Sequence, residues 1–147
     1  MKKLFVFVML LMMMALTACS NNNTIDLAPD ADVDYISFVQ GARPFYGDDG
    51  IDVTLERVVN RFFDSPTWYY NRLENWADVE VHGSLKGFGE SISIVSTVTP
   101  FAGGVTSLSF SSVSIDGEAV ASTDEDVREF LRSMFESYEL GYEHFTF

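Results

Sequence analysis

Apolar residues in two stretches of the chain recur with the 3.6-residue period of an amphipathic helix. In the first stretch the apolar positions fall at i, i+3, i+4, i+7 and i+8, and they are Leu55, Val58, Val59, Phe62 and Phe63. This spacing predicts a helix that buries one face. Asp52 or Thr54 can cap its start, and Ser65 with Pro66 is expected to end it.

The last helix is predicted from its apolar stripe and from signals at both ends. Ser122 and Glu125 have the spacing of a capping box, and Gly141 suits the left-handed residue that ends many helices. We expect Phe130 and Leu131, at the centre of the stripe, to pack on a sheet. The full stripe is Val127, Phe130, Leu131, Met134 and Tyr138. The state of the tail, residues 142–147, is left open.

Between the two helices the apolar period changes to two residues, which is typical of strands with one buried face. Polar and apolar residues alternate over 77–82 and again over 92–98. The apolar parity then changes before Val113, which predicts a β-bulge at Ser111 and Ser112. Asp116 and Gly117 are a two-residue hairpin signal, so 118–121 is expected to be a last short strand.

The order of these elements predicts an α+β domain over residues 33–147. An N-terminal helix or pair of helices is followed by a three- to four-stranded antiparallel meander. A C-terminal helix is expected to pack on this sheet. At residues 33–39 the pattern leaves a short helix and a strand both open.

The first 19 residues are expected to be separate from the folded domain. Lys2 and Lys3 precede an apolar run at 4–16, which is shorter than the roughly 20 residues that span a bilayer and has the length of a secretory h-region. The sequence Leu-Thr-Ala-Cys at 16–19 follows, and it resembles the lipobox of bacterial lipoprotein precursors. The alternative is an ordinary signal peptide or hydrophobic anchor with a chance cysteine.

The lipobox resemblance implies that residues 1–18 are a signal peptide and that Cys19 carries lipid, with acyl chains such as palmitate. It also implies attachment to the cell membrane or the outer membrane, with the domain outside the cytoplasm. Cys19 is the only cysteine in the chain, so an internal disulfide is impossible. Residues 20–23 are polar and Pro29 lies among three aspartates, so residues 19–32 are predicted to be a flexible linker.

The domain itself resembles two groups of small lipoproteins. Ile-Ser-Phe-Val-Gln-Gly at 36–41, Ser-Pro-Thr-Trp at 65–68 and Val-Glu-Val-His-Gly at 79–83 are similar to segments of small uncharacterised lipoproteins of Gram-positive bacteria. The order of elements resembles outer-membrane assembly accessory lipoproteins and β-lactamase-inhibitor-like domains. These resemblances imply helices packed on a small antiparallel sheet, and they leave the kind of host bacterium open.

The charge of the chain bears on its partners. All 22 acidic residues follow Cys19, together with 7 of the 9 basic ones, so the chain from Cys19 onward has a formal net charge of −15. Nucleic-acid binding needs Lys and Arg to displace counterions, and anionic lipid attracts basic segments. This balance argues against nucleic acid as a partner and predicts a monomeric domain that stands off the membrane surface.

Few residues are suited to nucleophilic catalysis. His82 and His144 are the only histidines, and the patterns G-x-S-x-G, H-E-x-x-H and S-x-x-K are absent. Three acidic clusters are candidate cation sites: Asp78, Glu80 and His82; Asp30, Asp32 and Asp34; Asp48, Asp49 and Asp52. A solvated acidic surface explains the first and the last of these clusters better than ligation does. The cluster at Asp30, Asp32 and Asp34 starts like an EF-hand loop but departs from it at Tyr35 and Gly41, so we predict no metal and no cofactor.

Aromatic residues concentrate at 68–76. In a strand, Trp68 and Tyr70 face one way and Tyr69 the other, and Trp76 follows the turn. One set is expected to close the core, and the other is a candidate surface for a protein or glycan. We expect a non-catalytic, membrane-anchored envelope lipoprotein that binds an envelope protein as an assembly or inhibitory module. A carboxylate-based extracytoplasmic hydrolase and a structural spacer are the alternatives.

Overall fold

The computed structural model of the protein describes residues 34–101 and 106–147. The predicted signal peptide, Cys19 and the predicted linker lie outside these residues. The helices are α1 Tyr35–Gln40, α2 Tyr46–Asp49, α3 Leu55–Phe62 and α4 Asp124–Glu139. The strands are β1 Phe63–Arg72, β2 Ala77–Leu85, β3 Ser91–Pro100, β4 Thr106–Ile115 and β5 Glu118–Ala121. None of the described helices is long and apolar enough to cross a membrane.

The five strands form one antiparallel sheet in the order β1-β2-β3-β4-β5. The helices pack on one face of this sheet, with α4 against β4 and β5 and with α3 against β1. The α+β class and the docked C-terminal helix are therefore confirmed. The sheet has five strands instead of the three to four expected. The difference arises because the aromatic segment in β1 and the short segment 118–121 both pair as strands.

The junction between α3 and β1 differs from the prediction. The helix ends at Phe62, and Phe63 already pairs with Leu85 of β2. Ser65, with φ +49°, and Pro66 lie inside β1, where one extra residue between Asp64 and Thr67 forms a bulge. An edge strand tolerates proline because one side of it needs no donor, so these two residues bend β1 instead of ending the helix.

The bulge and the hairpin predicted in the second half of the sheet are confirmed. Ser112 pairs with Val95 and Phe110 pairs with Ser96, so Ser111 is the extra residue in β4. Asp116 and Gly117 both have positive φ, at 50° and 82°, as a two-residue turn between twisted strands requires.

The ends of α4 are fixed by local hydrogen bonds. The N-cap is Thr123, whose Oγ1 accepts from the backbone N–H of Asp126 at 3.2 Å, so the capping box predicted at Ser122 is one residue out of register. At the other end Gly141 has φ +75°. The N–H of Tyr142 donates to Ser137 O at 3.0 Å, which confirms the predicted helix end.

The core lies between the helices and the sheet. Phe135 of α4 is fully buried, and its ring meets Phe45 edge-on at 5.1 Å. Leu131 is also fully buried, as expected, whereas Phe130 is only partly buried. The tail adds Phe145, which is 2% exposed. The apolar stripe of α4 is therefore wider than predicted, and the tail belongs to the fold.

Candidate functional site

The free edge of the sheet at β1 carries the most concentrated group of exposed aromatic side chains. Tyr69 is 55% exposed, Tyr70 57% and Trp76 42%, while Trp68 is half-buried against the core. In the part of the chain that the structure describes, no strand pairs with the outer side of β1. We define the aromatic edge as Trp68, Tyr69, Tyr70 and Trp76. The prediction that one set of these rings closes the core holds for Trp68 but not for Tyr70.

Helix α1 supports the aromatic edge from the core side. The ring of Tyr35 lies 6.0 Å from that of Tyr70. The start of α1 is fixed by Asp34, whose carboxylate accepts from the hydroxyl of Ser37 at 2.6 Å and from its backbone N–H at 3.0 Å. These bonds favour the ionised form and hold the pKa of Asp34 below its ordinary value.

On the opposite face of β1, Tyr69 meets the polar surface of the sheet. Its ring lies edge-on to that of His82 at 5.5 Å. The Nε2 atom of His82 is 2.8 Å from Glu80 Oε1, and Ser93 Oγ donates to the same oxygen at 2.5 Å. Partial burial opposes ionisation of Glu80, but the hydrogen bonds from Ser93 and His82, with the charge of His82, outweigh it and lower its pKa.

The cluster of Glu80, His82 and Ser93 lacks the geometry of nucleophilic catalysis. Ser93 donates to the carboxylate of Glu80, so the serine is not paired with an imidazole base. A carboxyl group that acts as a general acid needs a raised pKa, whereas the pKa of Glu80 is lowered. Asp78 is engaged separately, because it accepts from Thr97 Oγ1 at 2.8 Å. Across residues 34–101 and 106–147, no three His, Cys, Asp or Glu side chains converge as cation ligands.

The acidic turn around Gly50 is held by arginines. Each carboxylate faces a guanidinium: Asp48 that of Arg128, Asp49 that of Arg132 at 3.0 Å, and Asp52 that of Arg43 at 2.6 Å. Two of these guanidiniums, from α4, also lie 5.5 Å from the ring centre of Phe45. The carboxylates of Asp48 and Asp49 therefore dock α2 onto α4, whereas that of Asp52 binds the segment before α2. In the cluster of Asp30, Asp32 and Asp34, Asp34 caps α1, and Asp30 and Asp32 lie outside the described residues.

Sequence reasoning found the aromatic residues of the edge but missed their surroundings. Tyr35 and Ser93 carried no signal of their own, since each reaches the edge through pairing or packing with distant residues. The chain matches no known protein family, no curated protein and no solved structure.

Proposed function

We propose that the protein is a lipid-anchored envelope lipoprotein whose domain is non-catalytic and binds a protein partner. The anchor is supported by the sequence of its first 19 residues, where a basic start, an apolar run and a lipobox ending at Cys19 follow in order. Two or more acyl chains are needed for stable attachment to a membrane, and lipid on Cys19 would supply them.

The observation that carries the binding proposal is the exposure of aromatic rings along an unpaired strand edge. Tyrosine and tryptophan are the residues that most often dominate the energy of protein interfaces. An open strand edge is a template on which another chain can add a strand. In the aromatic edge both features occur on β1, where Tyr69 and Tyr70 stand more than half exposed.

The geometry favours an extended segment of the partner lying along β1. Its backbone would pair with the outer side of the strand, while Tyr70 contacts its side chains on one face and Tyr69 on the other, because neighbouring residues of a strand point to opposite faces. The net charge of −15 from Cys19 onward favours a basic partner, since complementary charge speeds and directs association.

The aromatic edge also lies beside the point where the chain enters the domain. Helix α1 is the first described element, and its Tyr35 contacts Tyr70. Cys19 precedes Asp34 by only 15 positions. A membrane-associated protein is therefore the kind of partner that the anchored edge would meet.

The proposal is tested by photo-crosslinking in the native envelope. p-Benzoylphenylalanine is placed at Tyr70 and, as the matched control, at Tyr46, which is 59% exposed on α2. We expect one discrete crosslinked product from position 70 that weakens when Trp76→Ala is added, and none from position 46. Equal products from both positions, or a product that is indifferent to Trp76→Ala, would contradict a specific binding edge.

A further inference from the structure

A second site lies on the helix-covered face of the sheet, at β4 and away from the β1 edge. An open cavity of about 450 Å³ is bounded by β4, by the first turns of α4 and by the segment at 42–45. Leu108 and Phe110 of β4 pair with Val98 and Ser96 and so belong to the helix-covered face. They are only half-buried, whereas Val113 and Ile115 of the same strand are buried. The helices thus leave this end of the face partly uncovered.

Six of the ten residues that line the cavity are apolar and four are polar. Phe45, Leu108, Phe110 and Leu131 line it, and the charged residues that reach it are Arg43, Arg128 and Asp124. Small-molecule sites have this composition, with apolar walls, a few placed polar groups and volumes of about 300–1,000 Å³.

Among the charged side chains that line the cavity, basic ones outnumber acidic ones, unlike in the chain as a whole. The whole chain has 22 acidic and 9 basic residues, yet two guanidiniums and one carboxylate line this cavity. Arg43 bonds to Asp52 and Arg128 to Asp48, and these aspartates are not among the lining residues. A guanidinium has five N–H donors, so one carboxylate holds each arginine in place and leaves donors for a ligand.

From this arrangement we infer that the cavity binds a small amphipathic anion, with its apolar body against Leu108 and Phe110 and its carboxylate at Arg43 and Arg128. A bound anion would add to the contacts of the two arginines without displacing Asp48 or Asp52. The site is separate from the aromatic edge, since β4 and β1 are three strands apart in the sheet order, and it does not depend on the proposed function.

The test is titration calorimetry of the purified full chain, with injection of each probe into buffer alone as the blank. The probe is 2-naphthoate, and its neutral counterpart is 2-naphthalenemethanol. We expect one molecule of 2-naphthoate to bind per chain, at least fivefold more tightly than the alcohol. Arg43→Gln and Arg128→Gln should each weaken 2-naphthoate at least fivefold and leave the alcohol unchanged. Arg72→Gln, on β1, makes the same change of charge and should have no effect.

Leu108→Trp should abolish binding of both probes, because the indole occupies the space beside Phe110 in which the naphthalene ring of the probe is placed. If that variant does not melt cooperatively, the two arginine variants decide the result, since both side chains are about half exposed and neither belongs to the buried apolar core. Equal affinity for the two probes, or equal effects of Arg43→Gln and Arg72→Gln, would overturn the inference.

Discussion

The ring of Phe145 lies edge-on to the ring of Phe130, with the centroids 5.3 Å apart and the planes at 75°. Phe145 also meets Phe62 of α3 at 5.8 Å. Phe145, in the tail at 142–147, therefore joins α3 to α4. Phe130 packs on this tail, whereas the neighbouring Leu131 lies in the core between the helices and the sheet. This difference explains why Phe130 is the less buried of the two.

Polar contacts fix the same tail on the domain. The Arg61 guanidinium donates to Tyr142 O at 3.1 Å and to Gly141 O at 3.3 Å. On the other side, His144 Nδ1 lies 3.0 Å from Lys86 O in the β2–β3 turn. Residues 141–147 thus connect α3, α4 and the β2–β3 hairpin. Their removal would expose the part of the core around Phe62 and Phe130.

Phe145→Ala should destabilise the protein by about 3–5 kcal/mol, the cost of truncating a buried phenylalanine. Phe147 is the matched control, because it contacts the same ring cluster but is 65% exposed. Its replacement by alanine should cost about 0.5 kcal/mol or less. Urea unfolding measures both. Equal effects of the two variants would mean that the tail is not docked as described.

Gly87→Ala should destabilise more than Gly89→Ala. Both glycines have positive φ, +88° and +76°, so both variants carry the backbone cost of about 1–2 kcal/mol. Only at 87 would the new Cβ meet another group, His144 Nδ1 at 2.7 Å. In a His144→Ala background the difference between the two variants should fall below about 0.5 kcal/mol. A difference that persists there would place its cause in the turn, not in the tail.

Elements set by local patterns were predicted from the sequence, and contacts between distant residues were not. The bulge at Ser111 follows from a change of apolar parity within one strand, and the hairpin at Asp116 follows from turn chemistry. The burial of Phe135 could not be read in the same way, because it depends on Phe45, 90 positions earlier. The tail gave no periodic signal, since Phe145 is buried by ring contacts and not by a helix or strand of its own.

The same distinction between local patterns and contacts of distant residues applies to the candidate sites. The exposure of Tyr69 is consistent with alternation in an edge strand, but the exposure of Tyr70 depends on how little of it α1 covers. The acidic residues around Gly50 could be counted from the sequence. Their arginine partners could not, because two of them lie 80 or more positions away on α4.

The Glu80 site predicts a pH-dependent contribution to stability. The pKa of Glu80 is lowered in the folded protein, so its stabilising effect is complete above the ordinary carboxyl pKa of about 4.3 and is lost as the pH falls through the folded value. The stability advantage over Glu80→Gln should therefore be larger at pH 6 than at pH 3. Urea unfolding at both pH values measures it, and the other carboxylates cancel in the comparison. An advantage that grows toward acid would contradict the hydrogen-bonded, ionised carboxylate.

Cys19→Ser should abolish lipid attachment. The cysteine thiol is the only group in the chain that the lipobox reaction can modify, and a hydroxyl is a much weaker nucleophile than a thiolate. Cells are labelled with a palmitate analogue, and the label and apparent size of the protein are followed. Ser20→Ala serves as the control and should be labelled normally. A Cys19→Ser protein that still takes up label at mature size would refute the lipoprotein proposal.

Alanine substitutions along β1 should separate support of the fold from binding. Trp68 packs against the core and is half-buried, so Trp68→Ala should cost about 2 kcal/mol, roughly half the cost of truncating a fully buried aromatic residue. Tyr69→Ala and Tyr70→Ala should each change the free energy of unfolding by about 0.5 kcal/mol or less, as exposed positions do. Urea unfolding of the three variants tests this order.

The Tyr70→Ala variant also distinguishes a binding surface from side chains that are exposed to solvent without contacting a partner. With p-benzoylphenylalanine at Trp76, Tyr70→Ala should reduce the crosslinked product at least tenfold, because a tyrosine at the centre of an interface contributes about 2 kcal/mol or more. Tyr46→Ala, equally exposed on α2, should leave the product unchanged. A Tyr70→Ala protein that is both stable and fully crosslinked would leave the exposed rings of β1 without a role in binding, and the proposed function would lose the observation that supports it.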